Sequence, residues 1–546
     1  MKESLMKEWN AHERNEDKEV EILDFNDKQK KKRRDKTKTS TRGAKYEQSR
    51  QMQTPRKAKN ERRTTTRNKE YAIVTYVFLA LFICMTGWII YFMQFKSEDF
   101  INNSYNARLA KLSDYTVRGD ILANDGTVLA TTNVDEAGNE TRKYPYGSVF
   151  AHAVGYSVNG MSGVELDANY NLLRSNAFIL TRIFNEIRDE KNPGDDVVTT
   201  LDVSLQQACY DAMGSQDGAA IVIDPATGKI LAMVSKPDYD PNTIAQNWDS
   251  YVAADSDSTV LLNRATQGLY APGSTFKIFT LLSYLKQGND PNAFSYDCNG
   301  TFEYNNYAMH CYNNKAHGSE NLMDAFGNSC NCAFSNIGLS LDLDAYHKLC
   351  QKMLFNQDLP TALKNTAVSK MTLEDGASSS LIMQTAIGQG DTMVSPLHMA
   401  MVASAIANNG TLMEPYIIDH TQNESGTIVK QFDATSYGEL LSSSDAATLQ
   451  EYMRFVVTNG TGSVLNSDLY EAYGKTGTAE FSSNKNEDHS WFVALPRMRK
   501  ASRSPWLLSW RVWNPADIMP YRRPKRSLML ILAHIRNKTG KFWING

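Results

Sequence analysis

Three short polar clusters hold residues able to do acyl chemistry: Ser274 and Lys277 in NRATQGLYAPGSTFKIF, Ser329 and Asn331 in FGNSCNCAF, and Lys475, Thr476, Gly477 and Thr478 in YGKTGTAEF. A serine hydroxyl is a weak nucleophile until a base lies within hydrogen-bond reach. A helix beginning after Gly273 puts Ser274 in its first turn and Lys277 one turn on, so hydroxyl and amine share a face. Burial lowers the pKa of a lysine, which fits Lys277 to take the Ser274 proton. The backbone N–H of Ser274, at a helix start, is a donor for a developing oxyanion. On a strand, Lys475, Thr476 and Thr478 would present a cation and hydroxyls to a substrate carboxylate, and Gly477 leaves room for close backbone approach. Ser329 is placed to relay a proton to a leaving group, and Asn331 to hold a substrate amide.

Each cluster alone is weak. Ser-x-x-Lys recurs at Ser4, Ser283 and Ser482, Ser-x-Asn at Ser104, Ser157 and Ser482, and Lys-Thr-Gly at Lys538. Order, intervals and surrounding pattern single out one set, and that ordered trio is the signature of penicillin-recognising serine acyltransferases.

The elements that must position these side chains are legible around them. GAAIVIDPATGKILAMVS, Gly218 to Ser235, reads as two apolar strands around an Asp224-to-Gly228 turn. Helical periodicity follows Ser274 and returns in SPLHMAMVASAIANNG, while GKTGTAEF and HSWFVALP read as further strands. Strands at both ends with helices between predict an α+β domain, one sheet backed by helices. Upstream, Asn124-Asp125-Gly126 predicts a turn between RGDIL and TVLAT. Arg118-Gly119-Asp120 within it matches an adhesion tripeptide that is common by chance.

The whole-chain net charge of -3 says little, but its distribution is informative. Between Lys28 and Lys69 stand 18 Lys or Arg against three acids, a polar stretch expected to be disordered. Tyr71 to Phe95 follows without a charged residue. As a helix it is about 37 Å long, enough to cross a bilayer with some tilt and too long for the core of a signal peptide. The basic flank predicts a cytoplasmic N-terminus and an external remainder. Contact with anionic lipid accounts for that flank, so no nucleic-acid partner is inferred. Seven cysteines include Cys298 and Cys311 flanking a hairpin, a candidate disulfide outside the cell, with free buried thiols as the alternative. The nine histidines show no metal-ligand spacing, and neither a metal site nor a cofactor is read from the sequence.

From about Tyr71 to Pro496 the chain resembles the class B penicillin-binding proteins, single-span peptidoglycan D,D-transpeptidases, through RGDILANDGTVLA, GVELDANYNLL, TLDVSLQQA, NRATQGLYAPGSTFK, SCN, IGQGDTMVSPLHMA and KTGTAE. The resemblance implies an antiparallel sheet flanked by helices, like that of serine β-lactamases, preceded by a β-rich pedestal and one transmembrane helix. It implies a basic arm (1–70), a span (71–95), a pedestal (96–193) and a transpeptidase domain (194–496). It further implies that Ser274 attacks a D-alanyl-D-alanine stem peptide, releases D-alanine and passes the acyl group to an amine of a neighbouring strand, that Thr478 supplies a second oxyanion N–H, that β-lactams acylate the same serine, and that a multi-span glycan polymerase is a partner. The rivals that share the three motifs are a class A β-lactamase, against which stand the span and the long segment before Ser274, and its membrane-bound β-lactamase or β-lactam sensor relatives; a soluble carboxypeptidase would lack the RGDILANDGTVLA pedestal, and a divisome scaffold with a vestigial site is disfavoured because every reactive side chain is present.

After Pro496 the character changes. From Arg497 to Gly546 there are 12 basic residues against Asp517 alone, with four of the eight tryptophans. The family pattern calls there for a β-branched strand at the middle of the sheet and a closing helix. Permitted codons read one frame over give an acidic turn, a valine run and a Gly-rich turn, so the tail (497–546) is read as a slipped coding frame, and Lys538-Thr539-Gly540 as its coincidence.

Overall fold

The computed structural model describes residues 68–95, 111–253, 258–468, 470–480, 488–498 and 527–533. The basic arm and most of the tail lie outside them. Helix α1, Asn68–Phe95, contains a 22-residue apolar stretch, Tyr71–Phe92, of mean hydropathy 2.3, none of it buried. By length and composition it can cross a membrane.

The pedestal is built on a six-stranded sheet. Its strands are β1 (Ile121–Leu122), β2 (Val128–Val134), β3 (Glu140–Lys143), β4 (Asp196–Thr199), β7 (Ile418–Gln422) and β8 (Ile428–Gln431), in the spatial order β8-β7-β4-β1-β2-β3. The β1–β2 hairpin turns at Gly126, whose φ of +84° suits glycine. Strands β7 and β8 come from far along the chain, so one sheet ties the pedestal to the transpeptidase part.

Arg118 is not a displayed adhesion residue. Its Nε donates to Glu165 Oε2 (2.7 Å) and its Nη2 to the Glu165 carbonyl (2.8 Å), while Arg142 Nε donates to Glu165 Oε1 (2.7 Å). The Glu165 side chain is wholly buried. Burial alone would raise its pKa, but the two guanidiniums outweigh that and hold the carboxyl below its ordinary value.

The transpeptidase sheet comprises β5 (Gly218–Ile223), β6 (Ile230–Lys236), β9 (Tyr470–Glu480), β10 (Asp488–Met498) and β11 (Ser527–Ala533), in the order β9-β10-β11-β5-β6. Strand β5 is buried throughout because both faces are covered: Ala219, Ile221 and Ile223 enter one core, Ala220 and Val222 the other. Helix α2, Val203–Met213, covers the second face. The first is covered by α5, Pro396–Ala407, apolar nearly all round and started by the Ser395 hydroxyl, which accepts from the His398 N–H at 3.2 Å.

The middle slot is filled from the tail itself, by β11. It runs parallel to both β10 and β5, whereas the β9–β10 and β5–β6 pairs are antiparallel. The fully antiparallel sheet expected from the resemblance is therefore interrupted at its centre.

Candidate active site

Ser274 lies in a tight 3-10 turn, Gly273–Phe276, that runs into helix α3, Lys277–Lys286. Three close approaches hold this turn. A Cβ on Gly273 (φ +53°) would stand 2.5 Å from the Thr478 carbonyl oxygen, and one on Gly477 would meet the Thr275 side chain at 2.9 Å. The Gly273 N–H donates to the Gly388 carbonyl at 2.9 Å, and a Cβ on Gly388 would fall 2.1 Å from the Gly273 oxygen. From behind, the buried Trp491 on β10 donates its indole N–H to the Ala271 carbonyl at 2.8 Å. Glycine is required at Gly273 and Gly388 because backbone meets backbone, and at Gly477 because the Thr275 side chain packs against it.

Both lysines of the predicted site are fully buried. Lys277 Nζ donates to the Ser329 carbonyl (2.6 Å), to Asn331 Oδ1 (2.8 Å) and, at 3.4 Å, to Ser329 Oγ. Ser274 is not among its partners. Lys475, on β9, donates to Ser329 Oγ at 2.9 Å and to the Thr476 carbonyl at 3.0 Å. The Ser329 hydroxyl thus joins the two ammonium groups, and its backbone sits at φ +59°, a region costly for a residue with a Cβ. Asn331 opens helix α4, Asn331–Ser340, and its Nδ2 donates to the His310 carbonyl at 2.9 Å.

Burial pushes the Lys277 amine down to about 8, opposed by Cys330, Cys311, Cys332 and Glu320 nearby. Burial, reinforced by the charge of Lys277, pushes Lys475 well below its ordinary value. Two ammonium groups around one hydroxyl in a dry site repel, so neutralising one is favoured near neutral pH.

The structure therefore brings Ser274, Lys277, Ser329, Asn331, Lys475, Thr476, Gly477 and Thr478 together, the lysines meeting at Ser329 and the Ser274 turn lying against Gly477 and Thr478. Strand β9 is an edge strand paired on one side only, so every second residue along it, within Lys475 to Thr478 as elsewhere, turns its backbone N–H and C=O away from the sheet. Thr461, which motif reading missed, shares a 2.6 Å hydrogen bond between its hydroxyl and that of Thr476, and helix α6, Ser443–Thr458, packs on β9 just before it.

The decoy Ser283-to-Lys286 repeat is ordinary helix, with Lys286 paired to Asp445 at 3.0 Å. Cys298 and Cys311 are free thiols with sulfurs 3.7 Å apart, so the disulfide reading gives way to its alternative. Although the sequence shows no metal-ligand spacing, Cys298, Cys311, His317 and Cys330 converge beside Ser329.

Comparison with known proteins identifies the fold and family that carry these residues. The penicillin binding protein transpeptidase domain family matches residues 218–501, and the penicillin binding protein A dimerisation domain family matches residues 118–197. Peptidoglycan D,D-transpeptidase PbpA of Mycolicibacterium smegmatis is 30% identical over 409 residues, 69% of this chain and 80% of the relative. The D,D-transpeptidase domain of a peptidoglycan glycosyltransferase from Eggerthella lenta superposes with a TM-score of 0.63 at 32% identity, covering 70% of this chain and 90% of that one. Penicillin-binding protein A from M. tuberculosis, solved as a penicillin G acyl-enzyme complex, gives 0.62 at 27% identity, with 70% and 92% coverage. With residues 118–197 matched by one family and 218–501 by the other, the chain belongs to the class B penicillin-binding proteins.

Proposed function

We propose that this chain is a membrane-anchored serine D,D-transpeptidase that cross-links peptidoglycan stem peptides and is acylated by β-lactams. Ser274 Oγ attacks the carbonyl between the two terminal D-alanines. Its proton passes to neutral Lys277, a seryl ester forms, and the C–N bond breaks. The leaving amine of D-alanine takes a proton through the Ser329 hydroxyl, fed by the Lys277 ammonium that forms when Ser274 loses its proton, while Lys475 holds the Ser329 hydroxyl in place. An amine of a neighbouring stem peptide then attacks the ester, restoring Ser274 and forming the cross-link. The backbone N–H groups of Ser274 and Thr478 receive the oxyanion. Asn331 holds the substrate amide, and Lys475, Thr476, Gly477 and Thr478 take the substrate carboxylate along the open edge of β9.

The observation that carries this reading is the Ser329 hydroxyl held at 2.9 Å by Lys475 and 3.4 Å by Lys277, two buried lysines one turn and one strand from Ser274. The basic flank of α1 supports a cytoplasmic N-terminus with the catalytic part outside. A multi-span glycan polymerase is the partner expected of such an enzyme. The test incubates the full chain, purified in detergent, with benzylpenicillin and maps adducts by peptide mass. A durable adduct on the Ser274 peptide, absent in Ser274→Ala, is expected. An adduct that clears within seconds would point to a β-lactamase, and none at all would refute an acylating serine.

A further inference from the structure

Beside the catalytic loop, Cys298, Cys311, His317 and Cys330 each offer a ligand atom, and the four atoms lie within 4.8 Å of one another. The cysteines are 0–3% exposed and the His317 side chain 7%. Their separations are informative. Cys311 Sγ is 3.7 Å from both Cys298 Sγ and Cys330 Sγ, and Cys298 Sγ is 3.5 Å from His317 Nδ1. Zinc bonds of about 2.3 Å to sulfur and about 2.0 Å to nitrogen, arranged tetrahedrally, give edges of about 3.8 Å for S–S and about 3.5 Å for S–N.

We propose that these four residues bind one zinc ion, closing its coordination shell, and that the ion fixes the loop bearing Ser329 and Asn331. The donor set is soft, three thiolates and an imidazole, which selects zinc over magnesium or calcium. A disulfide would answer the geometry less well, because Cys311 stands equally close to Cys298 and Cys330, and closer still, at 3.4 Å, to Cys332. Any single S–S bond leaves the other thiols and the histidine buried without a task. Cys332 is not the fourth ligand. Its S–H points at the Met309 carbonyl, 3.7 Å away, as a protonated neighbour of the site. Glu320 Oε2 is buried, has no hydrogen-bond partner among the described residues and lies 3.9 Å from His317 Nδ1, so it borders the site as an uncompensated carboxylate next to the proposed cation.

Local structure delivers each ligand. Cys298 ends the strand Tyr296–Cys298, which pairs with Gly318–Glu320 and so brings His317 alongside, the His317 N–H donating to the Cys298 carbonyl at 3.1 Å. The Cys311 N–H donates to the Gly300 carbonyl at 3.0 Å. Cys330 is the middle residue of Ser329-Cys330-Asn331, so a metal–thiolate bond there anchors the segment in which Ser329 holds its φ of +59° and Lys277 grips both flanking residues. The metal site stands without the transpeptidase reading. Its coupling to acylation rests on that reading.

The experiment measures metal in the full chain, purified in detergent without added chelator, by mass spectrometry of the elements. About one zinc per chain is expected, falling below about one tenth in Cys311→Ser and His317→Ala and unchanged in Cys332→Ser. Because ligand variants can misfold, the unaltered protein is also stripped and reloaded with cobalt(II), which should show the intense thiolate-to-cobalt absorption and tetrahedral d–d bands of a three-sulfur site. Stripping should slow benzylpenicillin labelling of Ser274, and zinc should restore it. Zinc-free protein with Cys311 in a disulfide, zinc-free protein with all thiols free and no cobalt spectrum, or metal retained in Cys311→Ser would each overturn the assignment. Metal present but labelling indifferent to stripping would overturn the coupling alone.

Discussion

If Lys277 takes the proton of Ser274, acylation must follow the titration of its amine. Burial brings that amine to about 8. The groups facing it are Lys475, which burial and the charge of Lys277 keep neutral to lower pH, and Glu320, Cys311, Cys330 and Cys332, which favour the charged form. A base titrating near 8 is neutral in about 9% of molecules at pH 7 and about 91% at pH 9, so the acylation rate should rise about tenfold between them and level off above. The assay is the second-order rate of labelling by a fluorescent penicillin between pH 6 and 10, at penicillin concentrations well below saturation. Lys277→Arg keeps a cation in the cavity but cannot lose its proton, so it should drop the rate by about 10²- to 10⁴-fold and flatten the profile. A wild-type rate that is flat or falling from pH 7 to 9 would refute Lys277 as the base. So would a rise that survives in Lys277→Arg, which would transfer the role to Lys475.

Three further outcomes are expected. Glu165→Gln leaves Arg118 and Arg142 buried without a counter-charge and should lower unfolding stability by about 3–5 kcal/mol, read from urea melts of the full chain in detergent. Because the Glu165 pKa is depressed on folding, its contribution is present above the unfolded carboxyl pKa and lost as pH falls through the lower folded value, so wild type and variant should converge in acid. Gly273→Ala and Gly388→Ala force a Cβ to within 2.5 Å and 2.1 Å of a carbonyl oxygen, and the displaced Ser274 turn should cost on the order of 10²-fold in penicillin labelling, while an unchanged rate would show that the turn is not held there. We propose that the coding frame slips near Pro496. Restoring it should raise both melting temperature and labelling, whereas DNA from the organism with an intact open frame for this tail would end the idea.

Local pattern was sufficient where an element explains itself. The continuous apolar run of β5, the apolar run of α1 and the Ser395-Pro396 start of α5 are patterns and caps written in adjacent residues. It was insufficient where a residue's meaning lies across a gap. Arg118 looks like a surface tripeptide until Glu165, 47 residues on, is placed beside it. The pairing of Ile418–Gln422 with Asp196–Thr199 joins segments that no local signal relates, since a strand's pattern specifies a face and not a partner. The thiols and His317 are spread over a strand end, two loops and the start of a helix, so their spacing matches no compact metal motif. Only the hairpin pairing of Cys298 with Gly318 folds that spacing into a cluster. The glycines argue the same way. Gly273, Gly388 and Gly477 occur in recognisable motifs, but the reason each must be glycine is a backbone or side chain that meets it from another segment. The reactive groups were therefore legible as types and order. Their competence resides in long-range contacts: the open edge of β9 against the Ser274 turn, and the two buried lysines meeting at Ser329. A variant that keeps every motif but loosens one of those contacts should fold, bind and fail to acylate.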